Sequence, residues 1–339
     1  VKNCGYSSLV DAGQGFELLL HLAVLNNNAL SKADEFREVN VDLLEQTLAA
    51  AKQAGVSRFV NVTTFHALDG HGSEYARSKR AALDILKAEE NIAITNVFLP
   101  AVYGDEFAGK LSIVKKVPAL LRPATLTFLT ALLPTVHVDE LARIVATDFV
   151  AKPQSIMPAN SQDQNIVYRI GKRLIDVLFS VAVITLAGWI LAIVWVLVRL
   201  GSSGPGIFAQ ERVGQNGKTF TCYKFRTMKA GTKQAGTHEM TADAITGIGK
   251  LLRKTKIDEL PQVWNILRGE LSLVGPRPTS FSAYTYSLWH TERLDVRPGL
   301  TGLWQIIGRG SMEFDDRVRL DVVYIERRSL LLDFMILLG

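Results

Sequence analysis

The sequence predicts an α/β chain in two halves: an N-terminal parallel sheet with covering helices, then a long apolar helix leading into a small α+β domain. Three observations predict it. Apolar, β-branched runs alternate with a segment of helical period in the N-terminal half, the pattern of strand–helix–strand units. No charged residue occurs from Val177 to Val198, a length comparable to the ~20 residues that cross a bilayer core. Beyond it, the hairpin signal QNGK (Gln215–Lys218) stands between two strand-like runs.

The elements follow in order. Phe16–Val24 and Ser57–Thr64 read as buried strands. Between them, Asn40–Gly55 repeats apolar residues at helical spacing and ends on a glycine. Ala93–Gly104 is a further strand running into a loop, so the half reads as a parallel sheet over residues 1–150. Residues 151–168, polar and holding two prolines, read as a linker. The second domain covers 169–339, with its membrane segment at 174–200. Lys172 and Arg173 precede that segment and Arg199 follows it, so the basic flanks do not choose a side. Gly188 in the middle, with Ser180 and Thr185 to satisfy backbone groups, suits a helix that bends within one leaflet and returns. A strand pair around QNGK and a helix near Gly249–Thr255 complete the α+β part. The chain starts at Val1 and stops inside the apolar run DFMILLG, so a piece of a longer protein is expected.

Composition sets bounds on function. A chain of 339 residues accommodates two domains. A net charge of +5 suits an anionic membrane surface or phosphate-bearing substrates, and no basic run interleaved with aromatics points to nucleic acid. Cys4 and Cys222 are far apart and in no metal spacing, which reads as two free thiols.

The densest chemistry lies in KTKIDELPQVWNILRGELSLVGPRP, Lys254–Pro278. Adjacent Asp258 and Glu259 sit among arginines. A sugar nucleotide carries a diphosphate, whose recognition takes Arg forks, a Lys and usually Mg²⁺. Arg253, Arg277, Lys224 and Arg226 can supply the cations, and Asp258 and Glu259 can ligate Mg²⁺. A carboxylate can also act as nucleophile. Successive helix residues point ~100° apart, so the two acids divide roles instead of sharing a proton, and arginines nearby keep a carboxylate ionised at pH 7. Taken alone, an Asp-Glu pair is equally a solvated helix face.

The ordered set KRLID, FAQERVGQNGKTF, YKFRTM, GKLLRKTKIDELPQVWNILRGELSLVGPRP, VRPGLTGLWQIIGR and LDVVYIERRSLLLD resembles the bacterial sugar transferases, also called monotopic phosphoglycosyl transferases. The resemblance implies transfer of a sugar-1-phosphate from a UDP-sugar to polyprenyl phosphate, with release of UMP, in surface polysaccharide synthesis. It implies Asp258 as nucleophile, Glu259 as its dyad partner, Lys224, Arg253 and Arg277 as phosphate contacts, Asp321 as a further active-site acid, and Mg²⁺ as cofactor. It also implies a re-entrant membrane helix and both domains on the cytoplasmic face of the bacterial inner membrane. Members commonly carry Ser-Pro at the bend, where this chain has Ala187-Gly188.

In the first half, Tyr75 and Lys79 form Y-x-x-x-K, one helical turn apart. A lysine there can lower the tyrosine pKa and make the phenol a usable acid or base. With HLA (His21–Ala23), VNVDLLEQTLAAAKQAGVSRFVNVTT, YARSK, FLPAVYGD and VHVDELA, this half resembles the extended short-chain dehydrogenases/reductases that act on sugar nucleotides. The resemblance implies a Rossmann-like sheet lacking its first βαβ portion, Thr64, Tyr75 and Lys79 as a catalytic trio on NAD(P), and Asn40 as a characteristic residue of the cofactor region. The Gly-rich pyrophosphate turn of that family is missing; only Gly13-Gln14-Gly15 is present. Two alternatives stay open: an oxidoreductase whose second half is only an anchor, and a non-catalytic membrane scaffold.

Overall fold

The computed structural model describes residues 5–22, 33–64, 74–107, 109–147, 155–201, 203–229, 231–232, 244–279, 288–308 and 312–339. The chain divides into two units, one essentially Val1–Ser161 and the other Gln162–Gly339 with Ala131–Leu133. Ala23 and Val24, the end of the first expected strand, lie outside the described residues.

In the first unit, α1 (Leu9–Gly13) leads to β1 (Leu18–His21), α2 (Ala33–Arg37), α3 (Leu43–Gln53), β2 (Arg58–Thr64), α4 (Glu74–Lys87) and β3 (Ala93–Leu99). Then come β4 (Ala101–Tyr103), α5 (Arg122–Leu132), β5 (Thr135–His137), α6 (Val138–Thr147) and β6 (Ser155–Ile156). The main sheet has the order β1-β2-β3-β6 and every pair is parallel, as apolar strands alternating with helices require. Gly55 follows α3 with φ +75°, the left-handed stop its position suggests. Leu44, Leu48 and Ala51 of α3 and Ala82 and Leu86 of α4 pack in one core with Phe59 of β2. Two details differ from the sequence reading. The residues after Leu99 form β4, which pairs in parallel with β5 in a separate small sheet. Within the expected linker, β6 pairs with β3, and Ile156 joins the core of Val60 and Val97.

The second unit opens with α7, Ile166–Gly201, 36 residues long and so about 54 Å at 1.5 Å per residue. An 18-residue window within it has mean hydropathy 2.7 and is only 11% buried. A core helix of a soluble domain would be mostly covered, so burial argues against that reading. The helix is continuous through Ala187-Gly188. The break expected there is absent, because glycine permits a bend without imposing one and its amide still donates. Ser180 Oγ and Thr185 Oγ1 donate to carbonyls four residues back, Asp176 O at 2.8 Å and Val181 O at 2.9 Å.

Next come β7 (Ile207–Val213) and β8 (Thr219–Phe225), an antiparallel hairpin closed by Gln215–Gly217 as the QNGK signal indicates. There follow α8 (Gly247–Thr255), α9 (Val263–Arg268), β9 (Ser272–Val274), β10 (Gly299–Thr301), α10 (Leu303–Ile307), α11 (Phe314–Arg327) and α12 (Leu330–Leu338). β9 and β10 pair in parallel. Ile266, Leu271, Leu273 and Val274 form this unit's core with Tyr324 of α11 and Ile336 of α12.

The start of α7 is fastened by the KRLID residues. Lys172 Nζ donates to Asp333 Oδ2 at 2.8 Å and Val274 O at 2.9 Å. Arg173 donates to Ile266 O and Leu267 O, both at 2.6 Å, adding side-chain donors to the carbonyls at the end of α9. Asp176 Oδ1 accepts from Leu273 N–H at 2.8 Å and Ser272 Oγ at 3.0 Å. The far end of α7 packs as well: Val194 and Val198 share a core with Phe225 and Leu252.

Candidate active site

Asp258 and Glu259 lie in a 3₁₀ turn, Ile257–Gln262, and not on an α-helix. Lys256 takes a left-handed conformation, φ 61°, which ends α8, and Pro261 has no amide to continue a helical ladder. The tighter winding of a 3₁₀ turn, about 120° per residue, sends the two side chains into different surroundings. Glu259 forms an ion pair and a hydrogen bond with Arg277. Burial pushes its carboxyl up, but Arg277, Lys256 and Lys224 outweigh that and hold it below the usual range. Asp258 is buried, and its Oδ1 has no hydrogen-bond partner. Burial first, then the Glu259 charge, raises its pKa, against the pull of Lys224 and Arg253. The sequence reading weighed only the arginines. The tertiary structure adds desolvation and a like charge, so the shift is upward.

The cations are placed by specific contacts. Lys224 on β8 has its pKa lowered by burial and then by Arg212, and its ammonium lies 5.6 Å from the Phe208 ring centroid. Arg253 on α8 donates from Nε to Thr227 Oγ1 at 2.9 Å. Thr246 caps the same helix by accepting from Gly249 N–H at 3.0 Å. Gly249 comes so close to the preceding strand's exit that a Cβ there would lie 2.1 Å from Thr227 O. Asn265, fully buried, joins α9 to β8: its Oδ1 accepts from Tyr223 N–H at 3.2 Å and its Nδ2 donates to Thr221 O at 2.7 Å.

Two further sequence candidates make contacts of other kinds. Arg226 lies over Gly204, where an added Cβ would meet Nη1 at 1.6 Å, and its Nε has no hydrogen-bond partner. Asp321 on α11 is buried and paired with Arg293, whose Nη2 donates to Asp321 Oδ2 at 2.6 Å and to the Arg277 carbonyl at 2.9 Å. Burial raises the Asp321 carboxyl to about 7 against the pull of Arg293. Asp321 thus holds the backbone of Arg277 through Arg293. Arg293, outside the quoted motifs, and Thr227 and Asn265, inside YKFRTM and the DELPQ segment, were not read as site residues, since each acts on a partner distant in sequence.

The donor set also tests the expected metal. Among the described residues no cluster of three or more His, Cys, Asp or Glu side chains occurs. Glu259 is engaged with Arg277, whereas Asp258 Oδ1 is unengaged. Mg²⁺ commonly takes one or two carboxylates together with substrate phosphates. One protein carboxylate, Asp258, fits that pattern better than chelation by both acids. A cleft of about 910 Å³ lies beside the start of α7, lined by Arg169, Lys172, Arg297 and Tyr324 among others; Asp258 does not line it.

In the first unit, the Thr64 side chain lies near enough to the Tyr75 phenol to act on its pKa, so β2 and α4 do bring these residues together. Burial raises the Tyr75 pKa and Thr64 opposes it. The expected lowering by Lys79 is not seen, because desolvation dominates. Lys79 is buried and its own pKa falls to about 8. It also faces His21, whose pKa falls to about 4 through burial and then the Lys79 charge. Asn40 Nδ2 donates to Ser78 Oγ at 3.1 Å, next to Lys79 in sequence. The Gly13–Gly15 turn precedes β1 and does not join a strand to a helix. Among the described residues no Gly-rich turn joins a strand to a helix as a pyrophosphate cradle.

A family model for bacterial sugar transferases matches residues 167–339, which include α7, the acidic turn and its cations. The chain belongs to the bacterial sugar transferase family. Among relatives, a galactosyl transferase, CpsE, of Streptococcus agalactiae is 41% identical over 184 residues, 50% of this chain and 41% of that protein. The undecaprenyl-phosphate galactose phosphotransferase of Salmonella typhimurium is 35% identical over 184 residues, 49% of this chain and 38% of its own. The uncharacterized sugar transferase EpsL of Bacillus subtilis is 40% identical over 167 residues, 49% of this chain and 83% of that protein. The chain therefore spans less than half the length of the first two relatives. Among solved structures, MoeE5 in complex with UDP-glucose and NAD is similar at TM-score 0.36 and 17% identity, over 47% of this chain and 62% of that one. DesIV, a dTDP-glucose 4,6-dehydratase from Streptomyces venezuelae, is similar at TM-score 0.36 and 21% identity, over 45% and 55%. Both lie below a TM-score of 0.5.

Proposed function

We propose that this bacterial sugar transferase moves a sugar-1-phosphate from a UDP-sugar to polyprenyl phosphate by way of Asp258. The observation that carries the reading is the unequal treatment of the two acids: Glu259 is locked to Arg277, while Asp258 keeps a buried, unpartnered oxygen between the charges of Lys224 and Arg253. An Asp258 oxygen attacks the sugar-bearing phosphorus. The bond from that phosphorus to the bridging oxygen breaks, and UMP leaves with the bridging oxygen and its electron pair. An oxygen of polyprenyl phosphate then attacks the same phosphorus, and the bond to Asp258 breaks. The carboxylate is restored and polyprenyl-diphospho-sugar is formed. Lys224, Arg253 and Arg277 supply positive charge for the diphosphate. Mg²⁺, when bound, supplies further neutralisation of the diphosphate, with Asp258 as its protein ligand.

The helix α7 supports placement at a membrane with the catalytic unit on one side. Both of its ends pack on that unit, Lys172, Arg173 and Asp176 at one end and Val194 and Val198 at the other, with an exposed apolar stretch between. A helix crossing the bilayer would have one end on the far side, so we read α7, unbroken and fastened to that unit at both ends, as lying along the cytoplasmic face of the inner membrane without crossing it. The test of the chemistry is incubation with labelled UDP-sugar and Mg²⁺ without lipid acceptor. A covalent phosphosugar adduct is expected, and an Asp258→Asn chain that still forms it would refute the assignment.

The nearness of Thr64 to Tyr75 and the buried Lys79 favour a second activity in the first unit, NAD(P)-dependent modification of a sugar nucleotide. In this reading Tyr75 exchanges a proton with the substrate oxygen, Thr64 orients it, and Lys79 with Asn40 lies on the cofactor side. NAD(P)H consumption with UDP-4-keto sugars tests it; no turnover with any such sugar, in a chain bearing a complete nucleotide-binding turn, counts against it.

A further inference from the structure

Between Gly109 and Pro134 the chain carries Lys110, Lys115, Lys116 and Arg122 and no Asp or Glu. The segment begins as a 3₁₀ stretch, Gly109–Lys116, whose Leu111 and Val114 are fully buried. Those two side chains fix the stretch to the unit and turn Ile113, Lys110, Lys115 and Lys116 outward. A second 3₁₀ turn, Ala119–Leu121, leads into α5. Arg122 folds back at the junction, with Nε donating to Val117 O at 3.1 Å and Nη2 to Lys115 O at 3.5 Å. Cationic side chains are thereby gathered where α5 begins. Lys115 also lies 3.8 Å from Glu106, a pair exposed at both ends and worth little against a surface of fixed charge.

Large apolar side chains emerge at the same place. Leu120 is 90% exposed, and Leu121, Ile113 and Phe128 are each about half exposed. Isolated exposed leucines are ordinary; four in one basic segment free of acids are not. The polar groups of α5 are satisfied inside the helix. Thr125 Oγ1 donates to Leu121 O and Thr127 Oγ1 to Pro123 O, both at 2.9 Å. The outer face of α5 therefore offers hydrocarbon without unmet hydroxyl donors, and cations at its start.

We infer that the segment Lys110–Phe128 is a membrane-surface contact of the first unit, which seats Ile113, Leu120, Leu121 and Phe128 among the acyl chains of an anionic phospholipid bilayer and Lys110, Lys115 and Lys116 against its phosphates. An exposed apolar cluster beside several cations is the combination that binds an acidic lipid interface. A protein partner would need an acid placed against each of these cations, whereas an anionic bilayer meets them with a continuous layer of phosphates. This contact is distinct from α7 and involves none of the groups assigned to the chemistry.

The test uses the full chain in lipid nanodiscs, because α7 alone would bring it to vesicles. An environment-sensitive fluorophore is placed at Leu120→Cys in a Cys4→Ser background, Cys222 being buried, and at Gln46→Cys, exposed on α3, as a control. The probe at 120 should shift to the blue and be quenched by lipid-borne spin labels in discs rich in phosphatidylglycerol. The probe at 46 should do neither. Lys110→Glu/Lys115→Glu/Lys116→Glu, or about 1 M salt, where the screening length falls to about 3 Å, should abolish the difference between anionic and neutral discs. A probe at 120 that stays in water in both lipids overturns the inference. So does a blue shift in discs that lipid-borne spin labels do not quench, rising with protein concentration for a second copy or independent of it for coverage by the chain itself. An equal, salt-insensitive shift in neutral discs overturns the assignment to anionic lipid.

Discussion

Removing Arg293 tests the claim that the Arg277 side of the site is held from behind. Arg293 and Asp321 are 5% and 1% exposed, and Arg293 makes two short bonds, to Asp321 and to the Arg277 carbonyl. Asp321 Oδ1 already lacks a partner, so Arg293→Met leaves the whole carboxylate bare. Breaking a buried pair from one side costs ~3–5 kcal/mol. Protonation relieves part of this. Asp321 already has its pKa raised to about 7 by burial, and without Arg293 it rises further. In the parent chain the folded state holds this proton more tightly than the unfolded chain does, so stability from this group falls as pH rises from about 4 through 7. In the variant that decline extends to higher pH, so its deficit is largest in alkali and shrinks on acidification. The expected loss is ~3–5 kcal/mol at pH 8, falling toward the ~1–3 kcal/mol of an unsatisfied neutral group at pH 6. For a unit of this size it corresponds to roughly 6–20 °C in Tm at pH 8. Thermal unfolding in mild detergent, followed by tryptophan fluorescence, measures it. Arg293→Met/Asp321→Leu should recover most of the loss, since an apolar pair leaves no bare charge. A single variant within ~2 °C of the parent at pH 8, given the expected slope, or a double variant no better than the single, would refute the reasoning.

Further outcomes are expected at the site. Glu259→Gln removes the like charge that helps raise Asp258; the acid limb of the rate of adduct formation against pH should move to lower pH, while the loss of the Arg277 partner lowers the maximum. Asn265→Ala deletes the link between α9 and β8 and should cost ~2–3 kcal/mol, from the buried amide and carbonyl left unmet, read as a lower Tm. Gly249→Ala puts a methyl 2.1 Å from Thr227 O, and backbone cannot yield there as a side chain would. It should lower Tm and, by moving the hydroxyl that holds Arg253, slow adduct formation more than Asn265→Ala does.

Much of this protein follows from its residue order alone. The QNGK hairpin, the helix ending at Gly55, the parallel strands of the first unit and the exposed apolar helix were all legible, because each is written in local periodicity and turn chemistry. The acidic turn and its nearby cations were legible as a motif. What residue order did not reveal was how the charges divide. Asp258 and Glu259 are neighbours, yet one is paired and the other is not, because a left-handed Lys256 and Pro261 give a 3₁₀ turn in place of a helix. The upward shifts of Asp258 and Tyr75 come from desolvation, which depends on how much of the fold closes around a group. Arg293 meets Asp321 across 28 positions and Lys172 meets Asp333 across 161, distances over which sequence pattern carries no register. The local chemistry of each segment was determined by the sequence itself. Which charges are neutralised, and which acid of the Asp258–Glu259 pair keeps an oxygen without a partner, was decided only when packing removed water and brought those distant segments together.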